Sequence, residues 1–150
     1  MHTRLRTLLT VAAAVTAAGV PTGCAADEPR SLEGTSWQLV SLQSMDDAQG
    51  TTTVEDPSKF TVEFGKGGQA FFQIDCNRGK GTYTAEPASD GLSGSLTFGP
   101  IATTLMMCPQ PSLDQQVSQS LTHVRSYLFA DDLLHLSKFA DGGILTWRPA

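Results

Sequence analysis

Apolar and polar residues alternate along most of the chain beyond residue 36. Trp37, Leu39 and Ser41 alternate with Gln38 and Val40, which predicts a first β-strand. The polar stretch 45–58, with Gly50, a threonine run and Pro57, reads as a loop. Phe60, Val62 and Phe64 alternate with Thr61 and Glu63 to give a second strand. The run Gly65-Lys66-Gly67-Gly68 then predicts a tight turn, because glycine accepts positive φ at no steric cost. The chain returns over 70–76 with Phe72, Ile74 and Cys76 on one face. Residues 77–81 read as a further turn, and 82–86 as a fourth strand around Tyr83. A loop over 87–94 leads to a fifth strand, 94–98, stopped by Gly99-Pro100. Residues 101–107 read as extended, up to Cys108 and the prolines at 109 and 111.

One segment has a different period. Leu113, Val117, Leu121 and Val124 recur at spacings of four, four and three, which places one apolar stripe on a helix over 112–125. Ser112 followed by Gln115 has the spacing of a capping box at its start. Residues 126–130 pair or simply connect. Strands over 133–139 and 144–148 flank Asp141-Gly142-Gly143, a hairpin signal. The sum is a mainly β (α+β) domain of seven to eight short antiparallel strands with one packed helix. A sheet of that size with one apolar face curls, so the expected architecture is a small curled sheet or incomplete β-barrel.

The first residues change the picture of where this domain resides. Arg4 and Arg6 precede an uncharged run, 8–20, rich in Ala and Val, followed by Pro21, Thr22, Gly23 and Cys24. That is the layout of a secretory leader, and about 13 apolar residues are too few to span a bilayer core that needs roughly 20. Gly23-Cys24 is similar to a lipobox, in which the cysteine is lipidated and becomes the new N-terminus. Residues 1–23 are therefore read as a signal peptide, 24–33 as a tether and 34–150 as the domain. The expected location is the cell membrane or outer envelope, lipid-anchored and outside the cytoplasm. Cleavage after Ala25 is the alternative, and would make the protein secreted.

Removing the leader leaves eight basic residues against fifteen acids, a net charge of −7. The cations are scattered. No stripe exists to neutralise phosphates or to hold anionic lipid, so nucleic acid is excluded as a partner. Beyond Cys24 only Cys76 and Cys108 remain. Two cysteines in an exported domain point to a disulfide, with a pair of neighbouring buried thiols as the rival.

Catalytic chemistry is weighed against that. Thiolate catalysis needs a base, and the candidates are His123, off the apolar stripe of the helix, and His135, which alternates outward with Leu134 and Leu136. Zinc would need four ordered ligands, and no Cys-x-x-Cys or His-x-x-x-His occurs. Asp46, Asp47, Asp75, Asp131 and Asp132 read as turn residues rather than a calcium loop. Trp37, Trp147, Phe64 and Tyr83 read as core. No metal, no cofactor and no enzymatic activity are expected.

Several motifs in combination resemble the META-domain family, also called HslJ-like. Gly34-Thr35-Ser36-Trp37-Gln38-Leu39-Val40 is similar to its opening strand. Cys76-Asn77-Arg78, followed by Gly81 and Tyr83, resembles its Gly-Cys-Asn motif and downstream Gly-x-Tyr. The run from Leu96-Thr97-Phe98-Gly99-Pro100 to Met107-Cys108-Pro109 resembles its most specific signature. Asp75 stands where the family usually has Gly, and Leu105 where Arg or Lys is frequent. The resemblance implies a bacterial envelope domain, often a lipoprotein, tied to stress or antibiotic tolerance, with no common enzymatic activity. The expected function is a monomeric, non-enzymatic module that binds another, unknown envelope protein while lipid on Cys24 holds it to a membrane. Two alternatives are a carrier of a hydrophobic small molecule or lipid, contacted by Trp37, Phe60, Phe72, Met106 and Met107, and a thiol-redox protein using Cys76 and Cys108.

Overall fold

A computed structural model describes residues 29–45 and 50–150. Cys24, the leader and the acids at 46 and 47 lie outside the described residues. Ten strands and one helix follow in the order β1 (Thr35–Gln43), β2 (Thr51–Thr53), β3 (Phe60–Phe64), β4 (Gln69–Ile74), β5 (Asn77–Pro87), β6 (Ser93–Phe98), β7 (Ala102–Thr103), α1 (Asp114–Thr122), β8 (Val124–Ala130), β9 (Leu133–Lys138) and β10 (Ile144–Pro149).

Eight of the strands form a ring. β1, β3, β4, β5, β6, β8, β9 and β10 are neighbours in chain order, all antiparallel, and β10 pairs back onto β1, with Trp37 opposite Pro149 and Gln43 opposite Ile144. The sheet is thus a closed barrel rather than an incomplete one, and closure leaves no edge within the ring. β2 lies beside the second half of β1, and β7 beside Gly79 and Lys80 of β5.

The interior is built by period-two burial. Phe60, Val62 and Phe64 on β3, Ala70, Phe72 and Ile74 on β4, Leu134 and Leu136 on β9, and Leu145 and Trp147 on β10 all face inward. On β1 the inward residues are Trp37, Leu39 and Leu42. The step of three is absorbed by a register shift between Leu39 and Ser41, an extra residue in one strand that keeps both leucines inside. A second shift, between Val124 and Ser126, does the same for Val124 and Tyr127 on β8. Val117 and Leu121 of α1 complete the core by plugging one end of the barrel.

Four local expectations are corrected. Residues 77–81 are not a turn but the start of β5. The reversal comes earlier, at Asp75, whose φ of 53° lies in the left-handed region that a short polar side chain tolerates. Cys76 therefore sits beyond the turn and not on the face of Phe72 and Ile74. The glycines that suggested a turn serve a close approach instead. A Cβ on Gly81 would stand 2.9 Å from the Pro100 carbonyl oxygen, and one on Gly79 3.1 Å from the Ile101 side chain, because the segment after β6 crosses β5 there. The stretch 45–58 contains β2 and a helical turn at Pro57–Lys59. The helix is shorter than its apolar stripe, since Val124 already belongs to β8, and Leu113 rather than Ser112 precedes it.

The barrel has two unlike ends. The reversal at 75–76, the hairpin 139–143 and α1 lie at one, the capped end. The turns 65–68, 88–92 and 131–132 lie at the other, with the start of β1 and the end of β10. The chain arrives at this second end. The Arg30 amide donates to the Gly91 carbonyl at 3.0 Å, and its guanidinium lies 3.4 Å from the Asp132 carboxylate. Leu32, read from sequence as tether, is buried in the core.

Candidate functional site

At the capped end one side chain organises a loop. Asn77 is the first residue of β5 and is buried, beside the extended segment that carries β7 onward to Cys108. Its Nδ2 donates to the Met106 carbonyl at 3.0 Å, and its Oδ1 accepts from the Met106 amide at 2.7 Å. The same Oδ1 accepts from the Thr104 hydroxyl at 2.9 Å. The Thr104 amide donates to the Arg78 carbonyl at 3.0 Å. The side-chain amide of Asn77 therefore does what a backbone peptide does in a ladder and extends β7 by one further pair. An aliphatic residue of this size would leave three polar groups without these partners.

The disulfide stands beside it. Cys76 and Cys108 are bonded, with Cα atoms 5.5 Å apart, which decides between the bond and a pair of free thiols. The Cys76 amide donates to Cys108 Sγ at 3.2 Å. Asp75 adds a third tie: its carboxylate accepts from the Ser112 hydroxyl at 2.6 Å and lies 3.8 Å from Lys59 Nζ. The Ser112 hydroxyl also accepts from the Asp114 amide. The segment is thus fixed at both ends while its middle projects. Leu105 and Met107 are 94% and 96% exposed, and Met106 is also mostly exposed.

A cleft of about 620 Å³ separates this segment from α1, lined by Met106 and Met107 on one wall and by Gln115, Ser118 and Gln119 on the other. A smaller cleft, about 250 Å³, flanks the opposite side of α1, between Gln119, His123 and Phe139. The exposed face of the helix is made of Gln, Ser and Thr. Of the described large apolar side chains, the five most exposed are Met107, Leu105, Phe139, Met106 and Met45, all at this end.

The remaining residues singled out by sequence lie elsewhere. Trp37 is buried and donates its indole N–H to the Thr35 hydroxyl at 2.7 Å. Phe60 and Phe72 are core, so they do not share the cleft with Met106 and Met107. Tyr83 reaches the Gly65 carbonyl at 3.3 Å, and burial, aided by Glu33, pushes its hydroxyl above the usual range. Gly99 and Pro100 form the crossing over β5. The Gly99 amide donates to the Thr82 carbonyl at 2.9 Å, and a Cβ there would meet the Thr82 hydroxyl at 2.5 Å. His123 bonds the Gln119 carbonyl, and His135 bonds the Thr146 hydroxyl, so neither is spent on a sulfur. Among the described residues no three of His, Cys, Asp and Glu converge as a metal cluster, and no helix is long and apolar enough to cross a membrane.

Sequence reasoning gives Thr104, Gln115 and Ser118 no part in a site; Gln115 enters it only as half of a capping box. It had read Leu105 only as a departure from a charged position. The signal that could have found them is the uncharged run 101–108 followed by a helix face without charge.

Comparison with known proteins agrees with this architecture. A crystal structure of a DUF4847 family protein from Bacteroides vulgatus superposes with a TM-score of 0.51 at 12% identity, covering 77% of this chain and 92% of that one, which is a likeness of fold alone. No curated protein matches the chain. The META domain profile matches residues 30–150, and the chain belongs to the META-domain family.

Proposed function

We propose that this META domain is an exported, lipid-anchored module that acts without catalysis, by presenting the α1-capped end of its barrel to another envelope protein. The reading rests on one observation: the chain enters at the end opposite the most exposed apolar residues, Leu105, Met106, Met107 and Phe139. From Cys24 to Pro29 the backbone reaches at most about 18 Å. Lipid on Cys24 would therefore hold the Arg30 end toward the membrane and aim Leu105, Met106, Met107 and Phe139 away from it. Exposed apolar side chains on both sides of a helix face poor in charge suit a protein interface. A part in envelope stress or antibiotic tolerance belongs to the same proposal, carried out through that partner.

Two measurements test it. Cys24→Ala should move the protein from carbonate-washed membranes to the soluble fraction. A photoreactive residue at Met107 should give protein adducts in intact envelopes, and one at Leu128, at the opposite end, should not. Retention of the Cys24→Ala protein on washed membranes overturns the anchor, and adducts confined to Leu128 overturn the orientation.

A further inference from the structure

The segment after β7 has one bonded edge and one bare one. The Thr104 amide and both backbone groups of Met106 turn toward β5, where the Arg78 carbonyl and the Asn77 side-chain amide take them. In an extended strand successive residues bond to opposite sides. Leu105 and Met107 therefore turn theirs toward the cleft, and among the described residues neither has a hydrogen-bond partner there. Exposed edges are ordinarily guarded by Lys, Pro or a bulge. Residues 103–107 carry none of these and no charge. The barrel wall is also short of strand here: β6 meets β8 at only three pairs, Ser93 to Ser95 with Leu128 to Ser126, and beyond them α1 packs against β6.

Resting on the capped-end reading above, we propose that this cleft binds an extended peptide segment of the partner, which adds as a strand to the free edge of residues 103–107. The open amides and carbonyls of Leu105 and Met107 supply the ladder. The methionines supply contacts for alternate apolar side chains, and their flexible, polarizable stems adapt to several shapes. Among the described residues Asp114 is the only charged side chain lining the cleft, which calls for a basic residue in the segment opposite it. Five residues of edge match a segment of about five residues at roughly 3.3 Å each.

The test places a photoreactive residue at Gln115, on the helical wall, in the full chain within its own envelope. The adduct is mapped by mass spectrometry and measured in two backgrounds. Leu105→Ala keeps the amide N–H and should change the yield less than about threefold. Leu105→Pro removes that N–H and should lower it at least about tenfold, and Asp114→Asn at least about threefold. The mapped segment should alternate apolar residues around a Lys or Arg. If Leu105→Pro does not fold, the mapped segment is made as a synthetic peptide. It should then slow amide exchange at Leu105 and Met107 of the unmodified protein at least about tenfold. Equal yields from Leu105→Ala and Leu105→Pro, a helical segment, or exchange unaffected by the peptide overturns strand addition. Adducts at Phe139 without adducts at Gln115 also overturn it while leaving the capped-end reading intact. Adducts at Leu128 alone defeat both.

Discussion

Replacing Asn77 tests how the capped end is held. In Asn77→Ala the Met106 amide and carbonyl lose their partner, and the Thr104 hydroxyl loses its acceptor while still accepting from the Arg78 amide. At about 1 kcal/mol for each hydrogen bond, the loss would reach about 3 kcal/mol. Met106 is mostly exposed, however, so water can re-bond part of what is lost, and we expect about 2 kcal/mol. Urea unfolding of the disulfide-bonded protein, with an unchanged m-value, reads this directly. Amide exchange at Met106 should also accelerate. Asn77→Asp sharpens the test. It keeps the two acceptor roles but loses the donor to the Met106 carbonyl and sets a carboxylate against it. We expect burial and that carbonyl to outweigh the two retained donors, the Met106 amide and the Thr104 hydroxyl, and so to raise the carboxyl's pKa in the folded state above its unfolded value. The folded protein then binds the proton first, so the defect is full above the folded pKa and shrinks as pH falls through it. A loss below about 0.5 kcal/mol for Asn77→Ala, or an Asn77→Asp defect that does not change between pH 8 and pH 4, would refute the account.

Cys76→Ser and Cys108→Ser should each cost roughly 3.5–4 kcal/mol, the chain-entropy value for this loop, and the double variant should unfold where the singles do; additive losses would show that the sulfurs act separately. Gly143→Ala should cost about 3 kcal/mol or more, because φ is 114° and a Cβ would collide with the Gln43 carbonyl oxygen. A melting temperature within a degree of the parent would contradict that clash. Tyr83 and Tyr127 should ionise above the usual range, Tyr83 through burial and Glu33, Tyr127 through burial and Asp90. Both pKa values are raised on folding, so their stabilisation is complete below the ordinary tyrosine value and is lost as pH rises through the folded ones. Ultraviolet titration should show no tyrosinate step near pH 10 in the folded protein.

The strands were legible where one face is buried and the other wet. Phe60, Val62 and Phe64 announce β3 because burial there follows the pleat strictly. Asn77 to Gly81 misled because glycine favours turns and is also required wherever another backbone passes within van der Waals contact; only the fold reveals the crossing by Gly99–Ile101. The helix stripe overran its helix because Val124 is buried equally well as the first residue of a strand. Ring closure was not legible, since nothing local in 35–43 or 144–149 specifies that they pair. The candidate site was half legible. Cysteine count points to the bond, and Asn77 reads as a turn residue or a buried amide bonding backbone groups, the second of which the structure shows; but the outward placement of the methionines at 106 and 107, which read as apolar contacts, follows from which backbone groups Asn77 takes.

The pairing of β10 with β1 has a consequence for biogenesis. When such a polypeptide is delivered amino end first, the opening strand waits through roughly a hundred residues for its mate, a long loop to close and a slow step by topology. Until Ile144–Pro149 arrives, the nascent sheet presents two raw margins, each a template for the wrong neighbour. A product shortened by its last half-dozen residues would lose little mass yet keep both margins permanently. Its fate would be clumping or proteolysis rather than a weakened copy of the parent.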